Sequence, residues 1–249
     1  MSFDYHSVAG DYQYRALQSG HPMQRFWHRG KLTLVERLVK KHLSAGSKLL
    51  EIGCGAGNLL MQAVVKDSFP VALDLSMQAL TFVRSRLEDA ASAPDAPCGF
   101  ACIQSIGELL PLPDDHFDCV ILSEVIEHLP VPEVSIREAA RVLRPGGRLL
   151  VTTPNYHSLW PIMEWIVDRS NKAPRMAGEQ HISKFNPASL RRLLAECRLD
   201  MEYFGTIYNF SPFLSLVSQP SAEKQLAQEM DRPSSLGMIL VAVAGKPKH

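Results

Sequence analysis

The segment LLEIGCGAGNLL, residues 49–60, constrains the fold more than any other part of the chain. It joins an apolar strand to an apolar helix through Gly53, Gly55 and Gly57. Glycines in such a turn let a ligand approach the backbone closely, and the N–H groups at the start of the helix attract an anionic group. The spacing is G-x-G-x-G with Asn58 where a dinucleotide site needs its third glycine, and the P-loop lysine is absent. The segment therefore predicts an α/β fold with a ligand bound at the turn.

Short apolar runs alternate with helical segments along the chain, which is typical of a mostly parallel α/β sheet. The predicted strands are 48–52, 70–74, 100–104, 117–123, 148–154, 200–207 and 237–244. The predicted helices are 22–43, 132–143 and 187–197, with two more that begin after Gly57 and at Ser76. The RPGG sequence at 144–147 should end the helix before it and form a turn.

We expect a single domain, 1–249, with an N-terminal helical segment at 1–45 and a cofactor-binding core at 46–154. Two stretches rich in large apolar residues, 155–185 and 208–235, are longer than ordinary connections. An insertion after the fifth strand begins where ligands bind in open α/β sheets, so we interpret both stretches as lids over a substrate pocket. Packing on the core or at a homodimer contact is the alternative.

Charge and cysteine content exclude several classes of protein. Lys plus Arg and Asp plus Glu both total 26, so we expect no DNA partner, and the same balance argues against RNA. The five cysteines have no C-x-x-C spacing, which argues against a disulfide framework and a zinc knuckle. The N-terminal residues have no signal-peptide pattern, and no apolar run is long enough for a transmembrane segment. We expect a soluble cytoplasmic protein.

Asp74 stands at the end of the second predicted strand, beyond the glycine segment. A carboxylate at this place can accept hydrogen bonds from both hydroxyls of a ribose. The glycine segment and Asp74 together predict a ligand that contains a ribose and a compact polar head.

The sequence SEVIEHLP, residues 123–130, places Glu124, Glu127 and His128 directly after the fourth predicted strand. If the segment makes one helical turn, positions i, i+3 and i+4 share a face and the three side chains converge. Such a cluster suits a metal ion, a proton transfer or the capping of a helix. The residues alone leave all three roles open.

Four segments then carry a family resemblance: LLEIGCGAGNLL, VALDLSMQAL, LLPLPDDHFDCVILSEVIEHL and REAARVLRPGGRLLVTTPN. They occur in order between residues 48 and 154, and a weaker extension, EQHISKFNPASLRRLLAECRLD, reaches residue 200. The chain resembles the class I S-adenosylmethionine-dependent methyltransferases, and among them the ubiquinone-pathway O-methyltransferases. The resemblance implies a Rossmann-like, seven-stranded, mostly parallel sheet with helices on both faces and an antiparallel last strand. It implies S-adenosylmethionine as the cofactor.

The resemblance also assigns cofactor-binding residues. It gives Glu51 and the loop residues Gly53, Cys54, Gly55 and Gly57 to the methionyl end, Asp74 to the ribose, Leu75, Ile106, Gly107 and Glu108 to the adenine, and Ser123 to the neighbourhood of the sulfonium. Relatives often have an acid at the position of Ile106, where an isoleucine offers only its backbone and an apolar contact. Arg29, in a basic first helix with Arg25, His28 and Lys31, would cover the cofactor carboxylate, and a solvated helix face is the alternative.

An E-x-x-E-H arrangement resembles that of ubiquinone-pathway O-methyltransferases and plant-type small-RNA 2′-O-methyltransferases, in which it holds a divalent ion. This resemblance offers Glu124, Glu127, His128 and the downstream His181 as metal ligands. In the same family this corner faces the transferred methyl group. Glu124 and His128 are therefore candidate catalytic residues, with His128 receiving the proton of the acceptor. A structural role for the corner is the third interpretation.

We expect methyl transfer to a small-molecule acceptor, on a hydroxyl of a partly apolar compound such as a quinone, a lipid-linked compound or a glycolipid. RNA 2′-O-methylation is an alternative, against which the neutral net charge counts. A methyltransferase-like binding module without catalysis is another alternative. A nicotinamide oxidoreductase would share Gly53, Gly55 and Asp74 but not Asn58.

Overall fold

The computed structural model describes residues 9–19, 21–170, 180–232 and 234–248. The strands are β1 (Lys48–Ile52), β2 (Phe69–Asp74), β3 (Ala101–Gln104), β4 (Phe117–Ser123), β5 (Leu143–Pro154), β6 (Asp200–Ile207) and β7 (Ile239–Gly245). They form a seven-stranded sheet in the order β3-β2-β1-β4-β5-β7-β6. β7 is antiparallel to β5 and β6, and the other neighbouring pairs are parallel. The expected mostly parallel sheet with an antiparallel last strand is confirmed.

The central strands are buried on both faces, which explains their nearly unbroken apolar sequences. In β1, Leu49 packs in one apolar cluster and Leu50 in another, because successive side chains of a strand point to opposite faces. Ile121 and Leu122 divide in the same way in β4. Burial of each such side chain contributes ~1.5–3 kcal/mol to folding. The sheet is thus a rigid base for the loops at its edge.

Helices surround the sheet. They are α1 (Tyr12–Ser19), α2 (Pro22–Leu34), α3 (Asn58–Ala63), α4 (Met77–Ala90), α5 (Pro132–Val142), α6 (Trp160–Ser170), α7 (Pro187–Glu196), α8 (Ser211–Leu214) and α9 (Gln219–Asp231). The hydroxyl of Ser76 accepts a hydrogen bond from Ala79 N at 3.3 Å, so the predicted N-cap of α4 is confirmed. Pro132 occupies the first turn of α5, where its missing N–H costs no hydrogen bond.

The helix predicted at 22–43 is confirmed in extent but differs in type along its length. α2 ends at Leu34, and the helical backbone continues as a π-helical stretch, Val35–Val39, and a short 3-10 turn, Lys40–His42. Val35 and Val39 are both buried against the core. α1 lies inside the N-terminal helical segment expected at 1–45, but its own bounds were not predicted.

The RPGG sequence ends α5 at Val142 as predicted, and Gly146 supplies a left-handed conformation with φ +78°. The residues do not form a separate turn, because they belong to β5, which begins at Leu143 and shifts its register against β4 here. Gly146 N donates a hydrogen bond to Lys246 O, and Lys246 N donates to Gly147 O, both at 2.9 Å. The chain that follows β7 therefore supplies backbone partners for this irregular start of β5.

Both stretches that we interpret as lids contain helices. The first carries α6, and its residues 171–179 lie outside the described part of the chain. The second carries α8 and α9. Among the described residues, no helix has the length and apolar character needed to cross a lipid bilayer.

Candidate active site

The glycine loop follows β1 at the carboxyl edge of the sheet and has a left-handed backbone at each of its three glycines. Their φ angles are +68° at Gly53, +50° at Gly55 and +67° at Gly57. A Cβ atom on Gly53 would lie 2.5 Å from Val125 Cγ2, and one on Gly55 would lie 2.7 Å from Gln13 Oε1. Glycine is therefore required here both for the backbone conformation and for the close approach of neighbours.

Asp74 ties β2 to the glycine loop. Its Oδ2 atom accepts a hydrogen bond from Gly55 N, and its Oδ1 atom accepts one from Ser76 N, both at 2.8 Å. A carboxylate has about four lone-pair sites, so each oxygen can accept a further bond from a ligand hydroxyl. The two backbone bonds hold the carboxylate in a fixed orientation beside the loop.

A cavity of about 740 Å³ opens at the carboxyl ends of β1, β2 and β4. Its volume lies in the range of roughly 300–1,000 Å³ that is usual for small-molecule sites. The predicted site residues that line it are Gly53, Gly55, Asp74, Leu75, Ile106, Gly107, Glu108, Glu124 and His128. On one side it is closed by Tyr12 and Gln13 of α1, and on the other by Val125, Leu129 and Pro130. Ile106 is half-exposed at this wall and offers no carboxylate.

A second, smaller cavity of about 40 Å³ adjoins the first and shares Gln13, Gly53 and Glu124 with it. Its lining is polar and includes Glu51, Ser123, His28 and Lys31. The Oε2 atom of Glu51 accepts a hydrogen bond from Leu60 N at 2.9 Å. Burial raises the pKa of the Glu51 carboxyl to about 8 and lowers that of His28 to about 4. A cationic ligand group near Glu51 would favour its ionised form.

Three predicted cofactor residues line neither cavity. Cys54 and Gly57 belong to the loop but face the interior, where Cys54 is buried and a Cβ on Gly57 would lie 2.8 Å from Val83 Cγ2. Arg29 is exposed on α2, away from both cavities. The basic residue that α2 does bring to the site is Lys31, whose Nζ atom lies 3.4 Å from Glu124 Oε2. Tyr12 and Gln13 could not be predicted as cavity residues, because the sequence of α1 has no pattern that indicates a ligand site.

Glu124 does not converge with Glu127 and His128, so the expectation that one helical turn brings all three together is wrong. Glu124 has a left-handed backbone with φ +56°, and the 3-10 turn begins only at Ile126. Its N–H donates to Thr152 O, and its Oε1 atom accepts from the Thr152 hydroxyl, both at 2.9 Å. Glu124 therefore turns toward β5 and Lys31.

Glu127 and His128 instead meet His181, which follows α6 in the stretch 155–185. One ligand atom from each of the three lies within 4.8 Å of the other two. Glu127 Oε2 accepts from the Thr153 hydroxyl at 3.0 Å, whereas the buried Oε1 atom has no hydrogen-bond partner in the described part of the chain. Burial and the charge of Glu124 raise the pKa of the Glu127 carboxyl well above its ordinary value.

His128 is anchored to the lid through its ring. Its Nδ1 atom lies 2.9 Å from Gln180 O, and because a carbonyl only accepts, Nδ1 carries the proton of this bond. Burial lowers the pKa of His128, so the neutral ring has its lone pair on Nε2, 4.0 Å from Glu127 Oε1. Ser183 and Ile182 also donate backbone hydrogen bonds to Glu127 O.

His181 is held by two lid residues that had not been singled out. Its Nδ1 atom lies 2.7 Å from Glu164 Oε1 and 3.0 Å from the Tyr156 hydroxyl. The Tyr156 hydroxyl donates to Glu164 Oε1 at 2.7 Å. Glu164 and His181 are both buried. A lone glutamate in an apolar helix, WPIMEWIV, is the signal that could have identified Glu164.

Comparison with known proteins agrees with this geometry. The sequence model of a methyltransferase domain matches residues 20–202. The chain belongs to this methyltransferase family. Its relatives include the ubiquinone/menaquinone biosynthesis C-methyltransferase UbiE of Pseudomonas aeruginosa (strain LESB58), which is 28% identical over 214 residues and 79% of each chain. A second such UbiE, from Pseudomonas paraeruginosa (strain DSM 24068 / PA7), is 34% identical over 151 residues, or 59% of this chain and 55% of the relative.

Solved structures with the same fold include the [4+2]-cyclase SpnF, which aligns with a TM-score of 0.58 and 19% identity over 89% of this chain and 81% of its own, as well as methyltransferases. A SAM-dependent methyltransferase from Methanosarcina mazei aligns with a TM-score of 0.60 and 17% identity over 86% of this chain and 98% of its own. One from Archaeoglobus fulgidus aligns with a TM-score of 0.59 and 16% identity over 98% and 100%. The methyltransferase is thus a class I S-adenosylmethionine-dependent enzyme, as the sequence resemblance implied.

The methyltransferase has a cavity arrangement that fits its cofactor. The glycine loop leaves space that a Cβ atom would fill, Asp74 lies beside it with spare lone pairs, and the polar cavity offers both a carboxyl and an ammonium group. S-adenosylmethionine carries a ribose, an amino acid end and an apolar purine, which correspond to these surroundings.

Proposed function

We propose that the methyltransferase binds S-adenosylmethionine across the two cavities and methylates a partly apolar small molecule at the wall formed by His128. The adenosine would lie in the larger cavity against Asp74 and Leu75. The amino acid end would lie in the smaller cavity between Glu51 and Lys31. The observation that carries this proposal is that the two cavities meet at Gly53 and Glu124, below the carboxyl end of β4.

The bound cofactor supplies a methyl group on an electrophilic sulfonium. The chain must align the acceptor with that methyl group and receive the proton that the acceptor loses. We assign the proton to Nε2 of His128, because its Nδ1 is committed to Gln180 O and burial favours the neutral ring. Glu124 would assist by holding Lys31 and Thr152 in place beside the methyl group.

The acceptor side of the larger cavity supports a partly apolar substrate. Val125, Leu129 and Pro130 line it, and they present little that could bind a strongly polar compound. We propose a hydroxylated ring with an apolar tail and transfer to its oxygen. The relatives named as C-methyltransferases support a second acceptor atom, a ring carbon beside a hydroxyl. Removal of the hydroxyl proton by His128 would activate either atom, because the phenolate charge is shared with the ring.

The test is incubation of the protein with methyl-labelled S-adenosylmethionine and a panel of alkyl hydroquinone, alkyl catechol, alkyl glucoside and short RNA. Mass spectrometry with fragmentation identifies the labelled product and the methylated atom. We expect label on a phenolic compound. Label only on RNA would replace this proposal with 2′-O-methylation, and cofactor binding without any labelled product from cell extract would favour a silent binding module.

A divalent cation is a second candidate partner of the His128 corner. Glu127 Oε1, His128 and His181 are close enough to share one ion, and Glu127 Oε1 has no other partner in the described residues. Mixed carboxylate and imidazole ligation suits Mn²⁺, Fe²⁺ or Zn²⁺. Glu124, the fourth ligand suggested by the sequence, lies outside this group, and its two carboxylate oxygens contact Thr152 and Lys31.

Calorimetric titration of Mn²⁺ into chelator-treated protein tests this cation site without an activity assay. The expected result is binding to the wild type that is lost in His181→Ala. Absence of binding in the wild type, with unchanged methyl transfer in metal-free buffer, would reject the cation and leave the proton-acceptor role of His128 in place.

A further inference from the structure

The lid helix α6 contributes a buried carboxylate, Glu164, that contacts neither cavity but reaches the His128 corner through His181. Glu164 is 4% exposed and His181 is 5% exposed. A buried carboxylate is retained only where hydrogen bonds offset its desolvation, and here both bonds come from His181 and Tyr156. The contact with Glu164 therefore constrains which ring nitrogen of His181 carries a proton.

The hydrogen-bond directions around Glu164 fix the tautomer of His181. The Tyr156 hydroxyl has one proton and gives it to Glu164 Oε1 at 2.7 Å. The Nδ1 atom of His181, 2.7 Å from the same carboxylate oxygen, must then carry a proton of its own. The neutral ring has its lone pair on Nε2, on the side of the ring that faces away from Glu164.

We propose that Glu164 is a positioning residue that selects this His181 tautomer, so that His181 presents an acceptor and not a donor to Glu127 and His128. The lone pairs of two imidazole rings then face the Glu127 carboxyl, an arrangement that suits a shared positive partner, either a proton or a cation. The effect on catalysis rests on the proposed function. The tautomer itself does not, because it follows from the contacts of α6.

Removal of Glu164 should reverse the tautomer. Without the carboxylate, the partner that remains for the Tyr156 hydroxyl proton is His181 Nδ1, at 3.0 Å. Tyr156 would then donate to Nδ1, and the ring proton would move to Nε2, where it points into the cluster of acceptors. Glu164→Met keeps the side-chain length and removes the acceptor. Tyr156→Phe should leave the Nδ1–H form unchanged, since Glu164 still accepts from it.

Imidazole ¹⁵N spectra at one neutral pH test the proposal directly, with the His181 signals assigned from a His181→Gln sample. The expected results are an Nδ1–H tautomer in the wild type and in Tyr156→Phe, and an Nε2–H tautomer in Glu164→Met. The double variant Glu164→Met/Tyr156→Phe should give a mixture of the two His181 tautomers. Glu223→Met, at an exposed glutamate of α9, is the matched control and should leave the spectrum unchanged.

Separate measurements distinguish a loss of activity from a loss of folding. Cofactor affinity measured by calorimetry should stay within about twofold of wild type in Glu164→Met, whereas kcat for the acceptor identified by labelling should fall by roughly 10–100-fold. If Glu164→Met does not fold, the wild-type spectrum still decides the question. An Nε2–H tautomer in the wild type would overturn the inference, and so would a Glu164→Met protein with an unchanged tautomer. Failure of the wild type to bind S-adenosylmethionine in calorimetry would instead contradict the proposed function.

Discussion

Among single residues, Asp74 has an orientation fixed by backbone hydrogen bonds to both of its carboxylate oxygens. Asp74→Asn should weaken binding of S-adenosylmethionine by roughly 10–100-fold, because hydrogen bonds to a charged group contribute ~1.5–3 kcal/mol. The amide would also place a donor against Gly55 N or Ser76 N, which now donate to the two carboxylate oxygens. Calorimetric titration gives the dissociation constant. Asp95→Asn, at an exposed aspartate, is the control, and an equal affinity in both variants would contradict the assignment of Asp74 to the ribose.

His128 is expected to act on turnover and not on cofactor binding. His128→Gln should lower kcat by about 10²–10⁴-fold, the usual contribution of a positioned proton acceptor, while the dissociation constant of S-adenosylmethionine changes little. The ring lies in the wall of the acceptor cavity and hydrogen-bonds Gln180 O. Steady-state kinetics with the labelled acceptor, together with calorimetry, separate the two effects. A variant with normal kcat would leave His128 with a structural role only.

The sequence predicted site residues whose positions follow from local structure. Gly53 and Asp74 stand at strand ends, so the period of the strands fixes where they lie. The positions of the Glu124 and His181 side chains depend on how segments that are distant in the sequence pack together. Glu124 has a left-handed backbone outside the 3-10 turn, and Glu164 meets His181 from a helix 17 residues earlier in the chain. Arg29 and Lys31 lie on one helix, and only tertiary packing decides which of them reaches the cavity.

At the scale of elements, the glycine loop offers a test with a control built into the chain. Gly53→Ala should lower the free energy of unfolding by more than Gly46→Ala. Both positions have positive φ, which costs an alanine ~1–2 kcal/mol. Only Gly53 adds a clash, with Val125 Cγ2 at 2.5 Å, because nothing lies within 4 Å of a Cβ at Gly46. Denaturant unfolding measures both, and equal losses would show that Val125 moves aside without cost.

The spacing of apolar residues predicted which segments are helices and which are strands, but not the residues at which they end. The strands were recovered with small shifts, since each is a continuous apolar run between turn residues. The change from α-helix to π-helix after Leu34 is not marked in the apolar pattern, and the extension of β5 through RPGG involves Lys246, a partner far away in the sequence. A local pattern does not contain that partner.

At the scale of the whole molecule, Glu51 links folding to pH. Its pKa is raised from its ordinary value of 4.5 to about 8, so between these values the folded chain holds a proton that the unfolded chain releases. The stability from this group is complete below pH 4.5 and is lost as pH rises through 8. Glu51→Gln should therefore become more stable relative to wild type as pH rises. Unfolding at pH 5, 7 and 9 tests this, with Glu223→Gln as the exposed control, and a difference that does not change with pH would contradict it.

The activity of the chain requires that it binds S-adenosylmethionine, and not a nicotinamide dinucleotide, at the glycine loop. Thermal unfolding of one protein sample with S-adenosylmethionine, S-adenosylhomocysteine or NAD tests it most directly. At a concentration of about 100 times Kd, a ligand adds ~2.7 kcal/mol to the stability of the folded state. For a chain of this size that raises Tm by roughly 5–10 °C. We predict such a rise with both sulfur nucleosides and none with NAD, and a rise with NAD alone would contradict the account.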